Sequence, residues 1–394
     1  MSERNLDFDV VIERRNTKSL KYDSAIKRGK PADVIPLWVA DMDFKTSSYI
    51  TDALENMVSN GIFGYSEGGD SYFEAVKDWM KRRHQWEVEE DWLIRTPGVV
   101  FALAMAVRAF TKEGDSVLIQ QPVYYPFREI VTDNHRKLVS STLVQSEDGT
   151  YHIDYEDFEQ KIVTEHVKLF ILCNPHNPVG RVWTKEELST IGDICLKHHV
   201  IVASDEIHSD FVFFGKKHHV FSSINENYRN NCIICTSPSK TFNLAGFQIS
   251  NIFIENATLA KAFRMEMKSA GYSQVGLPGL IACESAYRYG DEWLEGVLKY
   301  IQANAEFAEA FLAKELPKVK MSRLEGTYLI WLDFKEYGLS DHELDKRILH
   351  DAGLWVDSGG LFGKAGEGFQ RINIACPRVI LEQALNKLQS VFKK

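Results

Sequence analysis

Between residues 92 and 235 the chain repeats one pattern: a short apolar run, a break, then a segment of helical period. The runs are Trp92-Leu93-Ile94-Arg95, Ser116-Val117-Leu118-Ile119-Gln120, Lys168-Leu169-Phe170-Ile171-Leu172-Cys173, Val200-Ile201-Val202-Ala203-Ser204 and Cys232-Ile233-Ile234-Cys235. A strand with one wet face alternates apolar and polar residues, whereas a continuously apolar strand is covered on both faces. Such strands alternating with helices predict an α/β fold with a mainly parallel sheet between helical layers. Ligands bind such sheets beyond the carboxyl ends of the strands. The loops that hold Gly98, Tyr124, Asn177, Asp205 and Lys240 all fall at those ends.

After about residue 288 the rhythm changes. A long helical segment covers residues 293–312, strand-like runs cover 327–332 and 371–375, and an amphipathic helix follows Pro377. This predicts three parts: an irregular arm (1–48) joining the small domain, a large domain (49–288) and a smaller α+β domain (289–394). Thr184 with Glu187, and Ser340 with Glu343, have capping-box spacing and mark two helix starts.

Composition removes several function classes. With 394 residues the chain is long for one core, and a net charge of −9 does not suit a nucleic-acid binder or an anionic membrane surface. No apolar run approaches the roughly 20 residues of a membrane span. Residues 1–7 are charged, without an apolar signal segment, so a cytoplasmic protein is expected. Six cysteines are scattered, and only Cys232 and Cys235 are close. They resemble half of a redox or metal motif, but strand positions three apart face opposite sides, and no second pair completes a zinc site. Buried, reduced thiols are predicted. His198-His199 and His218-His219 lie among lysines 197, 216 and 217 and read as solvated surface.

The loop after the last apolar run, Thr236-Ser237-Pro238-Ser239-Lys240-Thr241-Phe242-Asn243, places a lysine beside two hydroxyls at a strand end. Desolvation there disfavours the ammonium and leaves a nucleophilic amine, the requirement for a Schiff-base lysine. By itself the motif reads more readily as a surface lysine in a serine-rich turn. Asp205 alone reads as an N-cap or loop acid, Asn177 as a turn former before Pro178, Tyr124 as core, and Arg371 as a surface charge.

The ordered set of motifs decides between these readings. Ser-Pro-Ser-Lys-Thr-Phe-Asn, Asn-Pro-Val-Gly, Ser-Asp-Glu-Ile-His and Arg-Ile-Asn-Ile-Ala-Cys-Pro-Arg resemble, over essentially the whole chain, fold-type-I pyridoxal phosphate enzymes. These share the aspartate aminotransferase-like fold. The arm's Pro36-Leu-Trp-Val-Ala-Asp-Met-Asp-Phe44 is similar to the branch containing cystathionine β-lyases and cysteine-S-conjugate β-lyases.

The resemblance implies a role for each residue. Lys240 would carry pyridoxal 5′-phosphate and move the substrate's α-proton. Asp205 would pair with the pyridinium nitrogen, Asn177 would bond the phenolic oxygen, and Tyr124 would stack on the ring and assist. The amides of Val99 and Val100, the Ser237 hydroxyl and Tyr65 from a neighbouring subunit would hold the phosphate, with Ser239 a further candidate. Arg371 would grip the α-carboxylate, and Tyr125 would lie near the substrate. A cis peptide near Pro175 or Pro178 and a homodimer with interfacial active sites are also implied.

Two departures favour the lyase branch. Ala245-Gly246-Phe247-Gln248 stands where many aminotransferases have a phosphate-binding arginine, and His208 stands where they have a tyrosine. The expected activity is β-elimination from L-cystathionine or a related cysteine S-conjugate. An aminotransferase, or a lyase-fold protein with a regulatory binding role, is the alternative.

Overall fold

A computed structural model describes residues 6–393, so residues 1–5 of the charged N-terminal stretch lie outside the described residues. Seven strands form the main sheet: Leu93–Thr96 (β1), Ser116–Gln121 (β2), Lys137–Thr142 (β3), Val167–Cys173 (β4), Ile201–Asp205 (β5), Cys232–Thr236 (β6) and Ser250–Phe253 (β7). Their spatial order is β1-β7-β6-β5-β4-β2-β3. From β6 to β3 every pairing is parallel, while β7 runs antiparallel to both β1 and β6.

Continuous apolarity follows from burial on two faces. Phe170, Leu172, Val202, Cys232 and Ile234 enter one core cluster. Their neighbours Leu169, Ile171, Ala203, Ile233 and Cys235 enter another, against the helix Val99–Phe110. Cys232 and Cys235 therefore face opposite sides, and all six cysteines are buried and free. The period-two rule thus accounts for a pair that resembles a motif but is core.

A second sheet comprises Lys320–Met321 (β8), Leu329–Asp333 (β9), Asp357–Ser358 (β10) and Phe369–Asn373 (β11). It is antiparallel throughout, in the order β8-β9-β11-β10. The helices Asp291–Glu315 and Arg378–Phe392 share its apolar cluster through Ile301, Leu312, Leu381 and Leu385. Ile35–Pro36 of the arm pairs in parallel with Leu354–Trp355. Both capping boxes form, at Thr184 with Glu187 and at Ser340 with Glu343.

Several features differ from the sequence reading. Strands β3, β8 and β10 are not foreseen, because each has too few consecutive apolar residues to register. Strand β7 is not foreseen, because Ser250-Asn251 breaks the apolar pattern. Both residues are fully buried, and Asn251 Oδ1 accepts a 2.7 Å bond from the Tyr72 hydroxyl. His218, expected in solvent, is instead 5% exposed. Its Nε2 lies 2.8 Å from Glu206 Oε2, a buried carboxylate that outweighs the flanking lysines.

One buried network ties the two sheets' loops. Arg181 Nε meets Glu325 Oε2 at 2.8 Å, Lys216 Nζ meets Glu325 Oε1 at 2.7 Å, and Arg181 also reaches Glu187 at 2.9 Å. Arg181 closes the loop carrying Asn177, and Glu325 precedes β9. Removing one partner of a buried pair leaves an uncompensated charge and costs roughly 3–5 kcal/mol. Because Arg181 keeps Glu187 and Lys216 is partly exposed, Glu325→Ala is expected to lose less than that, about 1–3 kcal/mol of unfolding free energy in urea titration, and no loss would contradict this account.

Candidate active site

The strand-end loops open on one cavity of about 230 Å³. Its wall contains Val99, Val100, Tyr124, Asn177, Asp205, His208, Lys240 and Arg371. Eight positions spread over more than 270 residues are thus brought to one space.

Asp205 ends β5, in register with Cys173 on one side and Cys235 on the other. That burial pushes its carboxyl up to about 7, against the opposing pull of the Ile207 amide (3.1 Å) and the Lys240 charge. Lys240 lies in the single turn Pro238–Thr241 that follows β6. Burial lowers its amine to about 8, and Nζ donates to the Ala40 carbonyl at 2.6 Å.

The 12-residue helix Val99–Phe110 begins at the cavity. Its first-turn amides have no intrahelical acceptor, which makes the helix start an anion site. A Cβ at Gly98 would meet nothing within 4 Å, so the approach is open. The Tyr124 amide bonds the Asn177 carbonyl at 3.0 Å, joining two loops that carry cis peptides at Pro122, Pro175 and Pro178. Burial raises the Tyr124 phenol well above its ordinary range.

His208 is buried with its ring edge-on to Tyr328, 5.7 Å between centroids. Burial holds the imidazole far below its ordinary range, hence neutral, and Nδ1 has no partner among the described residues. Arg371 is 2% exposed, so it is no surface charge. It pairs with Asp357 across β10 and β11 and donates to the Trp38 carbonyl (2.7 Å) and Asn177 Oδ1 (3.0 Å). Its Nε is buried and unpartnered among the described residues.

Two expected residues do not line this chain's cavity: Ser237, and Tyr65, which was expected from a neighbouring subunit. Ser237 is the N-cap of the Lys240 turn, with its hydroxyl 2.7 Å from the Ile249 carbonyl. Ser239 reaches the cavity wall in its place. Tyr65 is 98% exposed, beside Ile62 and Phe63, and does not line the cavity. Sequence reasoning missed Asp357 and the Ala40 carbonyl. Neither has a local signal, since each is defined by the residue it meets from a distant part of the chain.

The comparisons fit this geometry. Residues 32–388 match the family described as aminotransferase class I and II. The chain belongs to that family. It is 43% identical over 385 residues to cystathionine beta-lyase PatB of Bacillus subtilis, covering 98% of this chain and 99% of that protein. Among solved structures, a PLP-bound putative aminotransferase from Clostridium difficile superposes with a TM-score of 0.96 at 42% identity, over 98% of this chain and 100% of that one. The PLP-bound C-S lyase from Staphylococcus hominis gives 0.92 at 34% identity, over 98% of each. The fold is accordingly the aspartate aminotransferase-like fold. Among the described residues no cluster of ligands could hold a metal, and no helix is long and apolar enough to cross a membrane.

Chemically, this family member presents an amine and a carboxyl that both titrate near neutrality, beside an anion site and a fixed guanidinium. Acetic anhydride acylates only neutral amines and does not itself titrate in this range. In the ligand-free protein, the acetylation rate constant at Lys240 is expected to rise about tenfold per pH unit below 8 and level off above it. Surface lysines, near 10.4, should keep accelerating. Peptide mass spectrometry reads both, and a Lys240 rate still climbing at pH 10 would contradict the lowered value.

Proposed function

We propose that this chain is a pyridoxal-phosphate-dependent carbon–sulfur β-lyase. It would cleave L-cystathionine or a related cysteine S-conjugate to a thiol, pyruvate and ammonia. The observation that carries the reading is the meeting of Lys240, Asp205 and Arg371 at one cavity in a chain similar end to end to a cystathionine β-lyase.

The residues present fit the cofactor. The cavity has an anion-binding helix start, an aromatic ring, a strand-end carboxyl and a neutral-prone amine, and the buried His208 Nδ1 and Arg371 Nε still lack partners among the described residues. Lys240 would hold the aldehyde carbon, Asp205 the ring nitrogen, Asn177 and His208 the phenolic oxygen, and Tyr124 the ring face. Val99 and Val100 would hold the phosphate, with Ser237 behind Ser239 and Tyr65 supplied by a second copy of the chain. Bound there, pyridoxal phosphate supplies an electron sink for the pair left when the Cα–H bond breaks.

The chain's own residues do the rest. Arg371, whose charge cannot be lost, binds the substrate α-carboxylate and fixes the Cα–H bond relative to Lys240. The Lys240 amine, lowered to about 8, has an appreciable neutral fraction near neutral pH and takes the Cα proton on Nζ. Asp205 keeps a compensating charge or proton beside the ring nitrogen. The thiolate leaves Cβ, and the released aminoacrylate hydrolyses to pyruvate and ammonia.

The same reading includes an arm (1–48), a large domain (49–288) and a small domain (289–394). It also includes a cytoplasmic homodimer with active sites completed across the interface. The exposed run of Ile62 (73%), Phe63 (64%) and Tyr65 (98%) supports an interface, and six unpaired thiols suit a reducing compartment.

Incubation with L-cystathionine, without keto acid, is expected to release pyruvate and thiol in equal amounts, with both abolished in Lys240→Ala. Amino transfer to 2-oxoglutarate with neither product would establish an aminotransferase instead. Asp205→Ala is expected to lower kcat at least about 100-fold, roughly 2.7 kcal/mol of barrier. An unchanged kcat would remove Asp205 from the mechanism.

A further inference from the structure

A second cavity, about 410 Å³, adjoins the first. Tyr125 borders both, and the Arg371–Asp357 pair stands between them, with Arg371 on the inner wall and Asp357 on the outer. Part of the outer wall is apolar. The Trp38 and Trp355 rings stack there at 4.4 Å and 13°, close to Leu354.

Charged groups complete the wall: Arg28, Lys30, Arg128 and Glu129. The Arg28 guanidinium lies 5.1 Å from the Trp38 ring centroid. Among the described residues, none of these four side chains has a salt bridge or a side-chain hydrogen bond. Asp345, on the same wall, is already occupied by Gln370 Nε2 at 2.7 Å. Three cations and one carboxylate without ion-pair partners among the described residues therefore line an outer space that shares Tyr125 with the inner cavity.

A substrate held by its α-carboxylate at Arg371 has only a short reach before its sulfur substituent leaves the inner cavity. Methylene groups suit the paired tryptophans, and a terminal carboxylate beside an ammonium suits three cations with one carboxylate. We propose that the outer cavity binds the far end of the sulfur substituent and selects a zwitterionic α-amino acid there over a neutral alkyl group. The proposal rests on the lyase reading for the orientation of the substrate.

Two probes separate the cases: L-cystathionine, with an amino-acid tail, and S-ethyl-L-cysteine, with a neutral one. In an Arg28→Ala/Lys30→Ala double variant, kcat/KM for L-cystathionine is expected to fall at least tenfold, through KM. For S-ethyl-L-cysteine it should stay within twofold, which also reports an intact fold. Lys30→Glu should repeat the pattern. Equal losses for both probes, or no loss for either, would overturn the subsite.

Calorimetric binding of both probes in a Lys240→Ala background, with and without the double substitution, reads the same preference whatever bond the enzyme breaks. A retained preference for L-cystathionine in the presence of the double substitution would likewise overturn it. Absence of pyruvate from both probes with wild-type enzyme would overturn the lyase reading alone, leaving the calorimetry to decide the subsite.

Discussion

A short stretch of backbone, residues 38–41, holds the active cavity in register through its carbonyl groups. Trp38 accepts from Arg371 (2.7 Å), Val39 from Asn373 (2.8 Å), and Ala40 from both Lys240 (2.6 Å) and the Tyr328 hydroxyl (3.0 Å). Asp41 accepts from Asn373 (2.6 Å). Residues from both sheets' ends thus meet on one strap of the arm. The strap is itself fixed by a partly buried cluster of charges. Fully buried Lys21 reaches Asp43 at 2.7 Å, and Arg14 reaches Asp41 at 2.8 Å and Asp43 at 2.7 Å. Two cations and two carboxylates balance there, which matters because an unmatched buried charge would cost several kcal/mol. Such a cluster contributes little net stability, but it admits few alternative geometries.

The same burial explains why the titrating groups at the cavity behave as they do. Desolvation penalises whichever form is charged, so it lowers the Lys240 amine to about 8 and raises the Asp205 carboxyl to about 7. Two groups whose ordinary values lie more than six units apart are brought within about one unit of each other. Arg371 cannot respond by deprotonating, so its charge has to be matched, and Asp357, directly across the ladder, matches it. The cavity therefore contains groups that can change charge and one that cannot, a division suited to moving a proton while holding a carboxylate.

How far the sequence carries depends on whether a feature is local. Strands β2, β4, β5 and β6 were legible because two-faced burial writes itself into consecutive residues. Strand β7 was not, because Asn251 satisfies its polarity through Tyr72 and Ser250 is buried in the sheet with its hydroxyl unpartnered among the described residues, and no window of sequence contains either fact. The burial of His218 fails to register for the same reason: Lys216 and Lys217 adjoin it in sequence, but Glu206 adjoins it in space. The Lys240 loop is locally ambiguous, and only the order of motifs along the chain resolves it. Asp357 and the Ala40 carbonyl have no signature, since their roles arise from pairings with Arg371 and Lys240 formed by tertiary structure.

The geometry of Trp38 bears on how recognition and chemistry are linked. Its ring lines the outer cavity between Arg28 and Trp355, while its carbonyl holds Arg371 at the inner one. Two residues onward, Ala40 holds the Lys240 amine. Any displacement of the Trp38 ring is transmitted along a strap with few spare degrees of freedom, because its carbonyls are already engaged and its acids are locked to Lys21 and Arg14. On the proposed subsite, groups at the far end of a long substrate and the Lys240 amine would bear on the same few peptide units, so discrimination at the sulfur substituent and alignment of the α-carbon would both depend on the position of this segment of the arm.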